Sequence, residues 1–360
     1  MQGFSPENLI QNYVPAFSQQ PEGVIRREIR PGKKLEVPFF MREWVLDQAN
    51  DSHQRLTFDI ATEAILILNR QWLLFSEYGF LVSPNLKLIG ESFSFPEKQE
   101  VEKHIRKAFQ RSGDILRREH IAGPVCVFSN VGYANYYHVL TELLPRLEIF
   151  AMFAGKAKLL VMEDSPDYVW QMLSAFGIPE TSIVRQRADS VYSADALITL
   201  PWGMNFIDHR FDYLRRVLDV GISKPDLPQR KLYITRRKAS ARNVLNEADI
   251  EPILNNYGVE LIETEGMSFD AQRELFAQAS HIIGPHGAGL ANMLLMPHIQ
   301  VMEIRPANYS NDCMLHLALA SGATGYHLFR SAVSRNQEKH LNMYVDAKAF
   351  ERELAVFLEG

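Results

Sequence analysis

The sequence has few cysteines and no long apolar run, and both absences exclude classes of protein. Among its 360 residues only Cys126 and Cys313 are cysteines. Both lie in apolar surroundings, so we expect buried free thiols in a reducing compartment and no disulfide framework. No stretch reaches the roughly 20 apolar residues that a membrane-spanning helix needs, and the N-terminal segment lacks the pattern of a secretory signal. We therefore expect a soluble, cytoplasmic protein, with peripheral membrane contact left open.

Basic residues are not in excess either. The chain has 38 Lys and Arg against 43 Asp and Glu, a formal net charge of −5, which argues against nucleic-acid binding by a basic surface. An anionic ligand would instead need a few arginines placed at its site. The length, with 46% hydrophobic and 22% charged residues, is typical of a globular protein with two domains.

The common signatures of nucleotide, zinc and hydrolase sites are also absent. Gly284, Gly287 and Gly289 do not form the Gly-x-Gly-x-x-Gly pattern of dinucleotide sites, and no Gly-Lys-Ser/Thr of a P-loop follows them. The sequence has no His-Glu-x-x-His zinc motif and no Gly-x-Ser-x-Gly nucleophile elbow. Any site must therefore be argued from its own residues.

Strand-like and helix-like segments alternate along most of the chain. Residues 1–120 are interpreted as a β-rich lead-in of short strands, and alternating strand and helix patterns follow from residue 123. A segment with glycine and two prolines, Gly221–Gln229, interrupts this alternation and is the best linker. The pattern predicts an α/β protein of two domains, 1–222 and 223–360, with ligands bound where parallel strands end.

One histidine lies among glycines where a strand is predicted to pass into a helix. The stretch ASHIIGPHGAGLANMLLMP places His286 in the turn between them. A helix start presents free N–H groups and a partial positive charge, which suit a phosphate. On spacing alone, a structural turn with a histidine bonded to a nearby carbonyl is an equal alternative.

Charged residues follow two other predicted strands. The segment LYIT is directly followed by Arg236, Arg237 and Lys238. At the end of a strand, arginines can bind a diphosphate through paired hydrogen bonds. The alternative is a run of charges exposed to solvent. Glu303 follows a third strand and could bind the hydroxyls of a ribose. A salt bridge to Arg305 is the competing interpretation.

A histidine and a carboxylate lie one helical turn apart in NYYHVLTELLPRL. His138 and Glu142 share one face of the predicted helix, which Pro145 interrupts just after them. Such a pair can serve as a general base or acid because each group changes the proton affinity of the other. A half-buried structural pair is the alternative.

In this order and at these separations, the segments NYYHVLTELLPRL, LYITRRKASARNV and IIGPHGAGLANMLLMP with VMEIRP resemble the glycosyltransferases of family 61. The resemblance covers roughly Ala122 to Arg305. It implies a GT-B architecture, in which two Rossmann-like domains face a central cleft, with the acceptor on residues 1–222 and the donor on residues 223–360. It further implies inverting sugar transfer without a metal or other cofactor, and the absence of any Asp-x-Asp triplet agrees with this.

The resemblance also implies roles for individual residues. His138 and Glu142 would lie on the acceptor side, one of them as the base, with Asn135, Arg146 and Lys238 in supporting roles. The nucleotide-sugar donor would be bound by Arg236, Arg237, His286, Gly287, Ala288, Gly289, Leu290, Asn292 and Glu303. Within that set, Glu303 would bind the ribose of the nucleoside.

The function expected from the resemblance is transfer of a sugar to a glycan or lipid-linked glycan acceptor, in the synthesis of bacterial capsular polysaccharide or lipopolysaccharide. Two alternatives stay open. A nucleotide-sugar epimerase would use a similar two-domain fold, and a noncatalytic protein could bind a sugar nucleotide or a polysaccharide without reaction.

Overall fold

The chain divides into two compact units. A computed structural model describes residues 4–14, 22–31, 33–36, 57–60, 63–90, 98–112, 116–153, 155–200, 208–221, 230–333 and 341–359. Unit 1 comprises Met1–Lys33 and Ala61–Asn205, and unit 2 comprises Lys34–Ile60 and Phe206–Gly360. The domain boundary predicted between residues 222 and 223 lies outside the described residues and stays a prediction.

Unit 1 is built on a mixed sheet in which ten described strands take part. In chain order, the elements up to residue 199 are α1 (Pro6–Gln11), β1 (Tyr13–Val14), β2 (Val24–Arg30), β3 (Lys33–Glu36), β4 (Thr57–Ile60), β5 (Glu63–Asn69), β6 (Leu73–Phe75), β7 (Phe80–Val82), β8 (Leu88–Ile89), α2 (Lys98–Ser112), β9 (Arg117–Phe128), α3 (Tyr136–His138), a π-helical segment (Val139–Leu143), a 3-10 segment (Leu144–Arg146), α4 (Leu147–Met152), β10 (Lys158–Met162), α5 (Asp167–Ala175), a 3-10 turn (Glu180–Ser182), β11 (Ile183–Gln186) and β12 (Ser190–Thr199). Strands β3 and β4 pair separately as a two-stranded sheet, which belongs to the Lys34–Ile60 segment of unit 2 apart from Lys33.

The parallel part of this sheet is β12-β9-β10-β11, and β12 also pairs antiparallel with β5 and β6. Strand β10 is apolar and buried from Leu159 to Met162, as expected of a parallel strand covered on both faces. The core beneath β12 includes Trp72, Val127 and Tyr192. Strand β9 ends at Phe128, and the turn that follows leads directly to α3.

Unit 2 contains a parallel sheet with one antiparallel edge strand. Its elements are α6 (Asp208–Val217), β13 (Arg230–Ile234), α7 (Glu247–Asn256), β14 (Val259–Ile262), α8 (Phe269–Phe276), β15 (Ala279–Pro285), a 3-10 helix (Ala288–Leu295), β16 (Gln300–Pro306), α9 (Cys313–Ala320), β17 (Gly325–Val333), β18 (Met343–Tyr344) and α10 (Ala347–Glu359). The sheet order is β14-β13-β15-β16-β17-β18, with β18 antiparallel. Helices α7 and α10 pack on one face through Ile250, Leu254, Phe350 and Leu354.

The order of the parallel strands in unit 2 fixes where a ligand site is expected. The chain moves from β13 outward to β14, then returns to the other side of β13 with β15 and continues outward. Open α/β sheets bind ligands beyond the carboxyl ends of their strands at such a reversal. In unit 2 this position lies beyond the ends of β13 and β15.

The alternation predicted from the sequence is largely confirmed, and the chain has a mixed α/β fold with two large sheets. Two elements differ. The helix predicted after His286 is a 3-10 helix, and the helix predicted through Pro145 changes from α to π to 3-10 before resuming as α4. Elements β17, β18 and α10 had no sequence prediction. Their burial against the sheet, with Phe329 and Phe350 in contact, completes the core of unit 2.

The two cysteines are free thiols, as predicted, but only Cys126 is buried, and Cys313 is partly exposed. Burial raises the pKa of the Cys126 thiol to about 12, so this group stays protonated and behaves as an apolar side chain. In the described part of the chain, no helix combines the length and apolar character needed to cross a membrane.

Candidate functional site

Two turns lie side by side beyond the carboxyl ends of β13 and β15, the reversal point of the unit 2 sheet. Strand β13 leads to Arg236, and its neighbour β15 leads to His286 and Gly287. A Cβ added at Gly287 would stand 1.9 Å from Nη1 of Arg236. The guanidinium therefore lies against the backbone of the turn, in space that only a glycine leaves free. The sequence predicted that these residues belong to one site, and the structure brings them into contact.

Two arginines share this turn, and neither pairs with a carboxylate of the described residues. Arg236 donates through Nε and Nη2 to the carbonyl of Ala241, at 3.2 and 3.0 Å. Arg242 donates through Nε to the carbonyl of His286 at 2.9 Å. Within the described residues neither guanidinium forms an ion pair with an acidic side chain, so both charges remain available to an anion.

The environment of Arg236 is unfavourable for its charge. Burial, and then repulsion from Arg242, lower the pKa of Arg236 to about 10, and attraction from Glu265 offsets only part of this effect. A half-buried cation that lacks a counter-ion is stabilised when an anion binds beside it. The pair Arg236–Arg242 thus has the electrostatics expected of an anion-binding site.

The other two cations after β13 point elsewhere. Arg237 pairs with Glu247 on α7, with Nη2 2.8 Å from Oε2, and Thr235 donates to the same carboxylate at 2.7 Å. Lys238 pairs with Glu263. The structure therefore separates the three consecutive cations, and only Arg236 faces the glycine turn.

His286 is buried and held by a carboxylate. Its Nδ1 lies 2.6 Å from Oε1 of Glu303, its Nε2 lies 3.8 Å from the sulfur of Cys313, and its ring meets the edge of Tyr309 at 5.0 Å. With 3% of its surface exposed, the side chain supports the turn from beneath. A ligand that binds at this turn would contact its backbone and the two arginines before it reached the imidazole.

Glu303 has no exposed surface. Besides His286, its carboxylate accepts a hydrogen bond from the hydroxyl of Tyr326, and Nε of Arg305 lies 3.9 Å from Oε1. Arg305 in turn pairs with Asp312 at 2.5 Å. Both oxygens of Glu303 thus face protein groups, because β16 is buried on both faces. The ribose contact expected from the sequence stays a prediction, and it would require this network to open.

The 3-10 helix after Gly287 divides into an accessible start and a buried body. Ala288 and Gly289 are partly exposed, and Leu290 donates the first helical hydrogen bond to the carbonyl of Gly287. The N–H groups before Leu290 precede that bond and point away from the helix body. Asn292 is buried and donates to Gln272 at 3.1 Å, so its amide lies inside the fold.

The predicted pair in unit 1 is also in contact. Nδ1 of His138 lies 2.6 Å from Oε1 of Glu142, and Oε2 of Glu142 accepts a hydrogen bond from the amide of Asn130 at 2.7 Å. Both oxygens of Glu142 are thereby held, while the His138 side chain is 35% exposed. A carboxylate in this geometry accepts the Nδ1 proton of the imidazole and leaves Nε2 with a free lone pair.

The turn before α3 fits closely around His138. A Cβ at Gly132 would stand 2.4 Å from both Cβ and Cγ of His138, so this turn can approach the histidine only with glycine at that position. Asn130 is buried and accepts from the N–H of Gly132 at 2.9 Å. Asn135 caps α3 by accepting from the N–H of Tyr137 at 3.0 Å. In the structure, its contribution is therefore to the start of the helix that contains His138.

The helix that contains the pair is wound irregularly because of Pro145. Proline has no N–H to donate, and its ring would clash with the carbonyl of Thr141 in a regular α-helix. Leu144 instead donates to the carbonyl of Val139 in a π-type bond. The buried Arg146 donates through Nε to the carbonyl of Glu142 at 3.2 Å. Single π turns in helices are frequent at functional sites, and this one places Glu142 opposite Asn130.

Several residues of these two sites were not predicted from the sequence. Asn130, Gly132, Tyr326 and Cys313 contact the predicted residues only through the tertiary fold. Arg242 had a visible signal, since it lies in the basic segment RRKASAR. Its loop geometry, with φ of 59° at Arg242 itself, turns it back to His286.

Comparison with known proteins agrees with the resemblance seen in the sequence. The model of the family Glycosyltransferase 61 matches residues 136–302, a segment that includes His138, Glu142, Arg236 and the turn at His286. None of the curated proteins compared matches the chain. Over residues 136–302, the chain is therefore similar to the glycosyltransferases of family 61.

Proposed function

We propose that the protein is an inverting, metal-independent glycosyltransferase that moves a sugar from a nucleotide-sugar donor to a glycan or lipid-linked glycan. The family match supports the transfer class. Inversion, the absence of a metal requirement, the acceptor class and a role in bacterial cell-surface polysaccharide synthesis are parts of the proposal. So is the GT-B arrangement of the two units.

One observation supports the donor site above all others. Arg236 and Arg242 lie together at the reversal point of the unit 2 sheet, and neither has a carboxylate partner among the described residues. The diphosphate of a nucleotide sugar would supply the missing negative charge, with further hydrogen bonds from the N–H groups at Ala288 and Gly289. The buried His286 and Glu303 would hold the turn in shape.

The proposed base is His138, oriented by Glu142. Both oxygens of Glu142 are occupied, one by His138 and one by Asn130, so this carboxylate is placed to orient and not to accept a substrate proton. Nε2 of His138 would take the proton of the acceptor hydroxyl. Glu142 would stabilise the imidazolium that forms.

The reaction would be one displacement. The acceptor oxygen forms a bond to the anomeric carbon while the bond from that carbon to the diphosphate oxygen breaks, and the hydroxyl proton passes to His138. The electron pair leaves with the nucleoside diphosphate, whose charge Arg236 and Arg242 would balance. In-line transfer requires both groups to reach one donor, which the two-domain arrangement expected of the family would provide.

A donor screen followed by product analysis tests this proposal. Thermal unfolding is followed with UDP-, GDP-, CMP- and dTDP-sugars at millimolar concentration, because a ligand that binds the folded state raises Tm. We expect one nucleotide class to stabilise the wild type and not Arg236→Gln, with Lys238→Gln as a matched control from the same cationic run.

Product analysis then separates the alternatives. Release of the donor's nucleotide, a nucleoside diphosphate or CMP from a CMP-sugar, together with a glycosylated acceptor supports transfer. Conversion of the donor sugar without an acceptor would identify an epimerase, and binding with neither transfer nor hydrolysis would identify a noncatalytic protein. No stabilisation by any nucleotide sugar would overturn the donor site.

A further inference from the structure

Unit 1 contains a cavity that the proposed transfer reaction does not use. It has a volume of about 720 Å³ and is lined by Arg70, Arg118 and His120, together with Leu73, Leu86 and Ser193. This volume lies in the range of pockets that hold small organic ligands and is far larger than a single inorganic ion needs.

The cavity lies far from the His138–Glu142 pair along the sheet. His120 is near the start of β9, whereas the turn to His138 follows the end of that strand at Phe128. Eight residue steps of extended chain at roughly 3.3 Å each separate the two positions by about 26 Å. In agreement, neither His138 nor Glu142 is among the residues that line the cavity.

Strand geometry directs the cationic side chains to one face. Arg118 and His120 are two residues apart in β9, and His120 is opposite Ser193 in β12, so all three project from the same side of the sheet. Nδ1 of His120 lies 3.1 Å from the hydroxyl of Ser193. The intervening Glu119 projects to the opposite face, where it accepts from Ser190.

An irregularity in the pairing of β9 with β12 sets the remaining polar group beside the cavity. Ala194 pairs with Ile121 and Ala196 with Pro124, so the extra residue lies in β9, where Ala122 and Gly123 stand opposite Asp195. The side chain of Asp195 accepts from the N–H of Gly123 at 2.7 Å and lies 3.3 Å from Nε2 of His120. Bulges commonly redirect a side chain next to a functional site. The backbone at Leu86 is also unusual, with φ of 56°, a conformation that a leucine adopts only when its surroundings impose it.

Among the described residues, the two arginine charges at the cavity are only partly offset, because the Asp195 carboxylate attracts both His120 and Arg70. Neither Arg70 nor Arg118 forms an ion pair with any described residue, and Asp195 is the one carboxylate that contacts a lining side chain there, through His120. The described lining includes no Phe, Tyr or Trp, so a nucleobase or a neutral sugar would find no large aromatic surface to stack on. Recognition would depend on a negative charge, with hydroxyl groups free to meet Asp195.

We propose that this cavity is a second binding site, for the anionic group of an acidic saccharide, either a uronate or a sugar phosphate. Arg70 and Arg118 would bind the carboxylate or phosphate, and Asp195 would accept hydrogen bonds from sugar hydroxyls. The site goes beyond the proposed transfer reaction, because its occupation needs neither the donor nor His138.

Calorimetric titration of the full chain, at one fixed low salt concentration, tests the site with four probes. These are trigalacturonate, glucose 6-phosphate, neutral maltotriose and inorganic phosphate. We expect at least one acidic saccharide to bind about tenfold or more tightly than both maltotriose and inorganic phosphate. The two acidic probes identify which anionic group the site prefers.

Matched variants assign the binding to the cavity. Arg118→Gln and Arg70→Gln should each weaken binding of the acidic saccharide on the order of tenfold, the usual effect of one charged hydrogen bond. Arg117→Gln is the control, since Arg117 is next in sequence but projects from the opposite face of β9 beside Asp189. Thermal unfolding of each variant confirms that it is folded.

Three results would overturn the proposal. They are equal binding of inorganic phosphate and the acidic saccharides, no binding of either acidic probe, and a loss with Arg117→Gln as large as with Arg118→Gln. Because no nucleotide sugar is present, each of these results is distinct from failure of the proposed transfer.

Discussion

The guanidinium of Arg236 occupies the space where a side chain at position 287 would lie, with Nη1 only 1.9 Å from an added Cβ of Gly287. Gly287 itself has an extended backbone, with φ of 166°, which any residue can adopt. The glycine is thus required by a neighbouring cation and not by its own conformation. This relationship brings the strand ends of β13 and β15 together at the proposed anion site.

Gly287→Ala should weaken donor binding with little effect on folding. The added methyl group meets the flexible end of Arg236, so the guanidinium moves while the backbone stays in place. We expect about tenfold weaker donor binding, the cost of one charged hydrogen bond, and a Tm near that of the wild type. Both are measured by thermal unfolding with and without the donor found in the screen.

A double-mutant cycle checks the cause. If Gly287 acts through Arg236, the variant Gly287→Ala/Arg236→Ala should bind the donor no more weakly than Arg236→Ala alone. Additive losses would show that the methyl group blocks the donor directly, and the role given to Arg236 in this pair would be wrong.

Arg236 and Arg237 should respond oppositely to removal of their charge. Arg236→Gln removes a charge that the fold disfavours, since burial and Arg242 lower its pKa to about 10. We expect an unchanged or slightly higher free energy of unfolding and loss of donor stabilisation. Arg237→Gln removes the partner of the buried Glu247, so it should lower the free energy of unfolding and spare donor binding. Urea unfolding and donor titration of both variants provide the comparison, and a reversed pattern would contradict the site geometry.

His138→Ala should slow transfer on the order of 100-fold or more, the usual contribution of a positioned base, with donor binding retained. Asn130→Ala and Glu142→Gln should reduce kcat by smaller factors, because they disturb the orientation of the imidazole and leave it present. The pH dependence of kcat/KM gives a second readout, since loss of a positioning partner should alter the acidic limb of the profile, where a general base becomes protonated. Full turnover in both His138→Ala and Glu142→Gln would exclude the pair as the source of the base.

The contact between His138 and Glu142 could be predicted because a spacing of four residues places two side chains on one helical face. The part played by Asn130 could not, since it comes from the turn after β9 and depends on how strand and helix pack. The same limit applies to RRK after β13. Three adjacent cations look equivalent in sequence, and only the positions of Glu247 and Glu263 in the fold distinguish Arg236 from the other two.

Glu303 shows a different limit of prediction. The sequence indicated a carboxylate near the end of a strand, which is where ligand-binding residues are expected. The strand is central in the sheet, with β15 and β17 on either side, and its residues are buried throughout. Contacts across the sheet decide whether a carboxylate at this position binds a ligand or a buried histidine. The sequence of a single strand does not show those contacts.

Acid should destabilise unit 2 through His281. Burial, and then repulsion from Lys231, lower the pKa of His281 to about 4 from an ordinary value of 6.5. Below about pH 6.5 the unfolded chain takes up a proton at this imidazole that the folded chain binds only near pH 4, so the free energy of unfolding falls as the pH decreases through this window. Urea unfolding at pH 7 and pH 4.5 should show a smaller decrease for His281→Gln than for the wild type. The exposed His298 provides the control, and an equal change with His298→Gln would contradict the assignment to His281.

Glu303 should prove more important for stability than for direct donor contact. Glu303→Ala leaves the buried His286, Tyr326 and Arg305 without their shared partner, and we expect a loss of about 2 to 4 kcal/mol in the free energy of unfolding. Glu303→Gln preserves the volume but not the charge and should lose less. Urea unfolding measures both, with Glu263→Gln as the control for a half-exposed ion pair. If Glu303→Gln instead abolishes donor stabilisation at an unchanged free energy of unfolding, the carboxylate contacts the ribose, as the sequence resemblance implied, and its role as a buried support for His286 is wrong.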